Sequence, residues 1–112
     1  MTAGQRNNLV YVEKQLPGED DGFGNVTPGG WGPIETTWAR ILPLKGSETV
    51  IAARRTGIQP VIITIPITPD NAAITREWRV RHADTGRLYD ISSVANMDEH
   101  GAEWELLAEY QT

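Results

Sequence analysis

The chain has no cysteine among its 112 residues, which excludes disulfide bonds, thiol catalysis and thiolate metal sites. It also lacks any apolar run of about 18 residues, the length that a membrane-spanning helix needs. Basic residues are in the minority, with 10 Lys and Arg against 15 Asp and Glu, so the formal net charge is -5. Because clustered Lys and Arg provide the affinity for nucleic acids and anionic membranes, this balance argues against both kinds of surface.

The first residues contain neither an apolar segment nor a cleavage site, so we expect no secretory signal and synthesis in the cytoplasm. At this length the chain is expected to form a single domain over residues 1–112. Its content of 39% hydrophobic and 22% charged residues is typical of globular proteins. These properties together predict a soluble domain with one core.

Glycine and proline are concentrated in residues 17–33, which hold six of the eleven glycines and three of the seven prolines. This composition favours neither a helix nor the register of a strand. Connections of this length in small domains are usually functional or disordered. The segment is therefore predicted to be a long mobile loop between two strands.

The rest of the chain is rich in β-branched and aromatic residues, many of them in period-two alternation. The predicted strands lie at residues 9–15, 31–43, 61–67, 78–82, 87–95 and 103–110. Pro60, Pro66 and Pro69 each remove a backbone donor near the third of these strands, which indicates a sheet edge or a barrel rim.

Alternation also predicts which side chains fill the core. The predicted core consists of Val61, Ile63, Ile65, Trp78, Val80, Tyr89, Ile91, Trp104 and Leu106. In the fifth strand the same alternation places four residues on one face, namely Tyr89, Ile91, Ser93 and Ala95.

Residues 46–57 carry the signals of one short helix. Ser47 is a favourable N-cap, and Glu48 lies in the first turn, where the helix dipole favours an anion. Arg54 and Arg55 fall in the last turn, and Gly57 suits the position after the C-cap. A helix this short is not stable alone, so we expect it to dock on the sheet.

Six antiparallel strands and one helix can form either a barrel or a sandwich. Closure into a barrel is favoured, because it removes the exposed edges that an open sheet would leave. We therefore predict a mostly β fold: a small antiparallel β-barrel of about six strands with one short α-helix and a long Gly-rich loop.

The two histidines do not indicate a metal site, because His82 and His100 have no partner at metal-ligand spacing. The acidic residues 19–21 are consecutive, whereas a calcium loop alternates its oxygen ligands. Such a loop also ends in a bidentate Glu, and this sequence has Gly30 at that position. No metal is therefore expected.

Catalytic and cofactor motifs are equally absent from the sequence. Gly22 and Gly24 lack the preceding strand, the following helix and the lysine of a phosphate-binding loop. Ser92 and Ser93 have no general base nearby in the sequence. We therefore expect no catalytic residues, no cofactor and no enzymatic activity.

Two segments are candidates for contacts with partners or for lining a channel. Acidic and aromatic side chains on a mobile loop suit such contacts, and so does a paired basic helix end. The loop candidates are Glu19, Asp20, Asp21, Phe23, Asn25 and Trp31. The helix candidates are Glu48, Arg54 and Arg55.

The order of these segments carries further information. An Asp-x-x-Gly element at residues 21–24 (DGFG) precedes residues 37–48 (TWARILPLKGSE), the helix and an Ile-rich strand at residues 61–65 (VIITI). Residues 86–94 (GRLYDISSV) and an acidic last strand at residues 103–109 (EWELLAE) follow. In order and spacing, and over nearly the whole chain, this layout resembles the head–tail joining family of tailed bacteriophages, also called head-closure or stopper proteins.

The resemblance implies a small β-barrel that assembles into a homo-oligomeric ring, six-fold or twelve-fold, below the portal. The ring would close the DNA exit and join the head to the tail in the virion neck, after synthesis in the bacterial host cytoplasm. The implied partners are portal or adaptor proteins and tail or tail-terminator proteins. Genomic DNA would pass through the channel without specific binding, and no membrane would be involved.

The chain departs from this family in its first residues, where Arg6 is followed by two asparagines instead of further basic residues. It also departs from the family in having a longer Gly-rich loop. Two alternatives stay open. One is a tail-completion or tail-terminator ring protein, and the other is a monomeric binding module of SH3-like or OB-like type. A phage, a prophage or a gene transfer agent could each encode such a chain.

Overall fold

A computed structural model of the chain describes residues 7–20, 22–24, 26–27, 29–96 and 102–111. Its strands are β1 (Asn8–Gln15), β2 (Glu19–Asp20), β3 (Val26–Thr27), β4 (Trp31–Pro43), β5 (Ile58–Pro66), β6 (Arg79–His82), β7 (Leu88–Asn96) and β8 (Glu103–Gln111). Its helix is α1 (Glu48–Arg55), between β4 and β5.

Six of the strands form a closed antiparallel barrel in the order β1–β4–β5–β8–β7–β6, and β1 pairs with β6 to close it. The prediction of a mostly β fold, a six-stranded barrel with one short helix, is confirmed. The sandwich alternative is wrong. Because β5 pairs with both β4 and β8, Pro60 and Pro66 do not mark a sheet edge and lie instead towards the two ends of the strand.

The core lies inside the barrel and matches the prediction closely. Eight of the nine predicted core residues are buried, and Trp104 is partly buried against the same cluster. The core also contains residues that alternation had not singled out, namely Val10, Val12, Ala39, Ile74 and Ala108.

The predicted face of β7 is wrong in the second half of the strand. The register of β7 against β8 shifts between Ile91 and Ser93, because β7 carries one extra residue there in a β-bulge. An inserted residue exchanges the two faces of a strand beyond it. Val94 therefore packs against the core, whereas Ser93 and Ala95 are exposed.

The helix begins and ends where its capping residues predict. The Ser47 hydroxyl accepts a hydrogen bond from Val50 N at 3.2 Å, and Gly57 follows the C-cap with a φ of 84°. Val50 is its one buried residue, so α1 docks by a single side chain and lies against β5. Within the described residues, no helix has the length and apolar character needed to cross a membrane.

The prediction that the Gly-rich segment contains no strand is wrong, because β2 and β3 pair within it as a small antiparallel hairpin. Glu19 pairs with Thr27 and Asp20 with Val26. Gly22 and Gly24, both with a φ of 83°, occupy the turn between the two strands. Positive φ is accessible to glycine at little cost. The same glycines that argue against a long strand therefore permit the tight turn between β2 and β3.

Candidate interaction surfaces

The outer surface of β1 and β6 holds a buried carboxylate between two arginines. Glu13 is only 2% exposed. Its Oε1 accepts a hydrogen bond from Arg79 Nε at 2.8 Å, and its Oε2 lies 3.1 Å from Arg81 Nη2. Burial of a carboxylate is costly unless it is paired and hydrogen-bonded, so the two arginines are what allows Glu13 to be buried.

Both arginines also lie over aromatic rings. The guanidinium carbon of Arg79 is 4.3 Å from the centroid of the Trp31 ring, and that of Arg81 is 4.9 Å from the centroid of Tyr11. Such cation–π contacts hold the guanidinium planes in place. We call the set formed by Tyr11, Glu13, Trp31, Arg79 and Arg81 the arginine–aromatic wall.

Arg81 keeps hydrogen-bonding capacity for a partner. Its side chain is 42% exposed, and the contact with Glu13 engages Nη2. Its Nε–H has no hydrogen-bond partner among the described residues, but it is buried, so a partner would meet the exposed part of the side chain. Arginine and aromatic residues are the types most enriched at protein–protein interfaces, and this wall combines both in an ordered arrangement.

The outer surface of β4, β5 and β8 is apolar and acidic. Leu42 pairs across the strands with Ile62, and Ile62 pairs with Leu107, so the three side chains form one row. Leu42 is 45% exposed and Leu107 is 39% exposed. Glu105 and Glu109 flank Leu107 on the same face of β8. We call this set of five residues the acid–leucine wall.

The two carboxylates of the acid–leucine wall have no cationic partner in the described part of the chain. Glu109 is paired directly with Asp90 of β7, which places two like charges opposite each other. Such pairs are destabilising. Arg40 of β4 pairs with Thr64 of β5, and Thr64 pairs with Glu105 of β8. Arg40 is therefore the cation at the border of this wall.

The loop of residues 17–30 is closed tightly at its base. Leu16 N donates a hydrogen bond to Gly30 O at 2.8 Å. A Cβ atom at Gly29 would overlap the carbonyl oxygens of Leu16 and Pro17, and one at Gly32 would lie 2.7 Å from Leu16 Cδ2. Gly29 is therefore required by its close approach to the backbone opposite, whereas at Gly32 the exposed Leu16 side chain could move aside.

An open groove of about 760 Å³ lies between this loop base and the barrel. Leu16, Trp31 and Trp78 are among the residues that line it, and Lys14 Nζ is 5.9 Å from the Trp78 ring centroid. At the turn of the loop, Phe23 is 87% exposed. The two predicted loop candidates therefore lie in different places. Trp31 lies under the Arg79 guanidinium, and Phe23 lies at the turn of the loop.

The remaining loop candidates lie either in β2 or outside the described residues. Glu19 and Asp20 form β2. Asp21 and Asn25 lie outside the described residues. Of the three acidic loop candidates, the structure therefore describes only the backbone of Glu19 and Asp20.

The helix candidates Glu48, Arg54 and Arg55 are all exposed. Glu48 is in the first turn, and the two arginines are in the last turn, as the sequence predicts. Each charge lies at the helix end where the dipole stabilises it. The exposure of all three leaves both ends of α1 available for contacts.

Of the two histidines, His82 supports a turn. Its Nδ1 accepts from Asp84 N at 3.2 Å and from Thr85 N at 3.4 Å, and its Nε2 lies 3.3 Å from Asn8 Oδ1. His100 lies outside the described residues. Among the residues that the structure describes, no group of three or more His, Asp or Glu side chains is placed to hold a metal ion.

The long connection between β5 and β6 is pinned to the barrel by a buried asparagine. Asn71 Oδ1 accepts from Thr68 N at 2.8 Å and from Trp104 Nε1 at 3.2 Å. Its Nδ2 donates to Pro66 O at 2.9 Å and to the Glu35 carboxylate. All hydrogen-bonding positions of the amide are used, so we assign this cluster a structural role.

Of the two walls, only Trp31 of the arginine–aromatic wall was selected from the sequence, and no residue of the acid–leucine wall. Glu13 was assigned to no site, because the arginines that pair with it lie in β6, far from it along the chain. The row of Leu42, Ile62 and Leu107 could not be predicted from local sequence patterns. Its members are far apart in the sequence, and only the strand registers bring them together.

Two comparisons place this barrel among known proteins. The model of a family described as phage head completion protein matches residues 1–110. A chain in the virion of a native gene transfer agent particle is 24% identical, with a TM-score of 0.68 over 95% of this chain and 94% of the other. Protein SF1141 of Shigella flexneri 2a, solved in solution, is 20% identical, with a TM-score of 0.69 over 98% and 96% of the two chains. A search among curated proteins finds no match.

Proposed function

The chain belongs to the phage head completion protein family and is a structural virion protein, not an enzyme, and from this membership we propose that it forms a ring below the portal. The ring closes the DNA exit after packaging and joins the head to the tail. Its partners are portal or adaptor proteins on one side and tail proteins on the other. It acts in the virion neck.

The observation that carries this proposal is the extent of the family match, which spans residues 1–110 of 112. A match over the whole barrel supports transfer of the role of the family, whereas a match to one strand or loop would not. The similarity in fold to a chain of a gene transfer agent virion is consistent with the same setting.

The charge of the chain suits a channel through which DNA must move. The formal net charge is -5 per subunit. A ring multiplies that charge around its axis, and a negative wall repels phosphates instead of holding them. DNA therefore passes without specific binding, as an exit that must later open requires.

The loop of residues 17–30 is proposed to face the channel or a tail partner. Glu19, Asp20 and Asp21 recur once per subunit in a ring and would form an acidic collar there. Phe23, at the exposed turn, offers an apolar contact beside that collar. The exposed helix residues Glu48, Arg54 and Arg55 are proposed as a second contact with neighbouring proteins.

Deletion of the gene in the particle-forming system tests the proposal. We expect heads that lose packaged DNA and carry no tails, alongside free tails of normal length. A plasmid copy of the wild-type chain should restore joined particles. Deletion particles that keep their DNA and carry tails would refute the proposal, and abnormally long tails on closed heads would support the tail-terminator alternative instead.

A further inference from the structure

We propose that the arginine–aromatic wall of one subunit docks on the acid–leucine wall of the next copy of this chain. This inference rests on the proposed ring and specifies which surfaces build it. The occupant of each wall is a second copy, and the contact runs head to tail around the ring.

The barrel topology places the two walls on opposite sides of the subunit. In the closed order β1–β4–β5–β8–β7–β6, the seam between β6 and β1 lies diametrically across from the seam between β5 and β8. A head-to-tail ring needs two different, complementary surfaces on opposite flanks of each subunit. The seams that carry the two walls meet this requirement.

The charges of the two seams are complementary. β1 and β6 carry the cations Lys14, Arg79 and Arg81 and the single carboxylate of Glu13. β5 and β8 carry three carboxylates and no Lys or Arg. The total of -5 is therefore distributed unevenly, with the cationic excess on one flank and an acidic strand on the other. Complementary potentials of this kind favour a defined partner and orientation.

The uncharged parts of the two walls also match. One wall presents the aromatic rings of Tyr11 and Trp31, held by stacked arginines. The other presents the row of Leu42, Ile62 and Leu107, in which Leu42 and Leu107 are exposed and Ile62 is half-buried. Exposure of such side chains on the outside of a barrel is unfavourable in water. A partner that covers this row with rings while bringing Arg81 towards Glu105 would remove both the exposed apolar area and the unpaired charge.

A two-fold contact between identical walls is disfavoured by the same charges. Two acid–leucine walls would bring carboxylates against carboxylates, and two arginine–aromatic walls would bring Arg81 against Arg81. Like charges placed together across an interface cost several kcal/mol. Each wall therefore selects the other wall and not its own copy.

Cross-linking in purified particles tests the contact, because the chain has no cysteine of its own. Thr36→Cys adds a thiol beside Tyr11, its partner across β1 and β4, and Ser93→Cys adds one beside Leu107, its partner across β7 and β8. Both positions are exposed. Each variant and the double variant would replace the wild-type chain in the particles and be treated with a short bismaleimide.

We expect the double variant to give a ladder of dimers, trimers and larger species, and each single variant to give only background dimers. Equal cross-linking in the single and double variants would overturn the inference, since it would indicate a two-fold contact. A double variant that joins heads to tails without any ladder would also overturn it, while leaving the proposed function intact. Failure of the proposed function itself is recognised separately, by deletion particles that still carry tails.

Charge reversal on the acidic wall gives a second test that does not disturb Glu13 and its arginines. Glu105→Lys with Glu109→Lys should lower the yield of joined particles by about tenfold or more, because cations would then face Arg81 across the contact. Asp70→Lys, an exposed reversal on the β5–β6 connection, is the control and should leave the yield unchanged. An unchanged yield in the double reversal, with the protein still folded, would refute the contact.

Discussion

Two connections between barrel strands differ in whether their side chains are buried. The first comprises residues 16–30, between β1 and β4, and the second comprises residues 67–78, between β5 and β6. The second buries Asn71, Ile74 and Trp78 against the barrel. The first leaves Leu16 and Phe23 exposed, Phe23 at 87%. The connection that buries its anchors is part of the fold, and the one that exposes apolar side chains is available for partners.

The hydrogen bonds that hold each connection to the barrel explain the difference. Asn71 joins the β5–β6 connection to β4 through Glu35 and to β8 through Trp104, with all of its amide positions in use. The first connection is held by the Leu16–Gly30 backbone hydrogen bond, by the short β2–β3 ladder and by glycines that permit close approach. Four substitutions test this comparison, from the largest expected effect to the smallest.

Asn71→Ala should destabilise the protein by roughly 3–4 kcal/mol, because it removes the acceptor for Thr68 N and Trp104 Nε1 and a donor to Glu35 in a buried site. The midpoint of urea unfolding measures the loss. Asp70→Ala, at the exposed neighbouring position, is the control and should be close to neutral. A loss below about 1 kcal/mol for Asn71→Ala would mean that the network does not hold the connection.

Ile74→Ala should cost about 2–4 kcal/mol, since it leaves a cavity beneath the same connection. Ile74 is buried in the core cluster, whereas its neighbour Ala73 is exposed. Ala73→Ser is the matched control, with an expected change within about 0.5 kcal/mol. Equal effects of the two substitutions on the thermal midpoint would contradict the distinction between a buried and an exposed face here.

Gly29→Ala should destabilise the loop base by about 1–3 kcal/mol, because the added methyl group overlaps the backbone of Leu16 and Pro17. Gly30→Ala is the matched control. A Cβ atom there meets nothing within 4 Å, so the change should be small. Comparing the two variants by urea unfolding checks whether close approach, and not glycine content in general, shapes this loop.

Phe23→Ser should change the free energy of unfolding by less than about 0.5 kcal/mol, because the side chain is largely exposed. In particles the same variant should lower the fraction of heads joined to tails if the loop contacts a partner. A large loss of stability would show that Phe23 packs on its own subunit. Unchanged joining with unchanged stability would remove Phe23 from the proposed contact.

Much of the fold could be predicted from local patterns. β-Branched and aromatic composition, together with period-two alternation in the later strands, identified all six barrel strands, and the capping pattern identified α1 through Ser47 and Gly57. The two errors have local physical causes that patterns do not record. A bulge near Ile91 exchanged the faces of β7, and pairing across a glycine turn formed β2 and β3 where composition argued against strands.

The candidate surfaces could be predicted only in part. Trp31 was assigned to an interface from its place in the sequence, and the structure brings it into the arginine–aromatic wall under Arg79. That assignment stays a prediction, because exposure and stacking do not by themselves show a partner. Arg79, Arg81 and Glu13 were not selected, since their ion pairs join strands separated by most of the chain.

The sequence by itself determined the strands, the helix caps, most of the barrel core and the acidic balance, because each of these depends on side chains that are close together along the chain. Tertiary structure decided the burial of Glu13, the leucine row across β4, β5 and β8, and the placement of the two walls on opposite flanks. Those features depend on the order and register in which distant strands pair. Hydrogen-bond ladders and barrel closure determine that order and register, and no single segment of the chain records them.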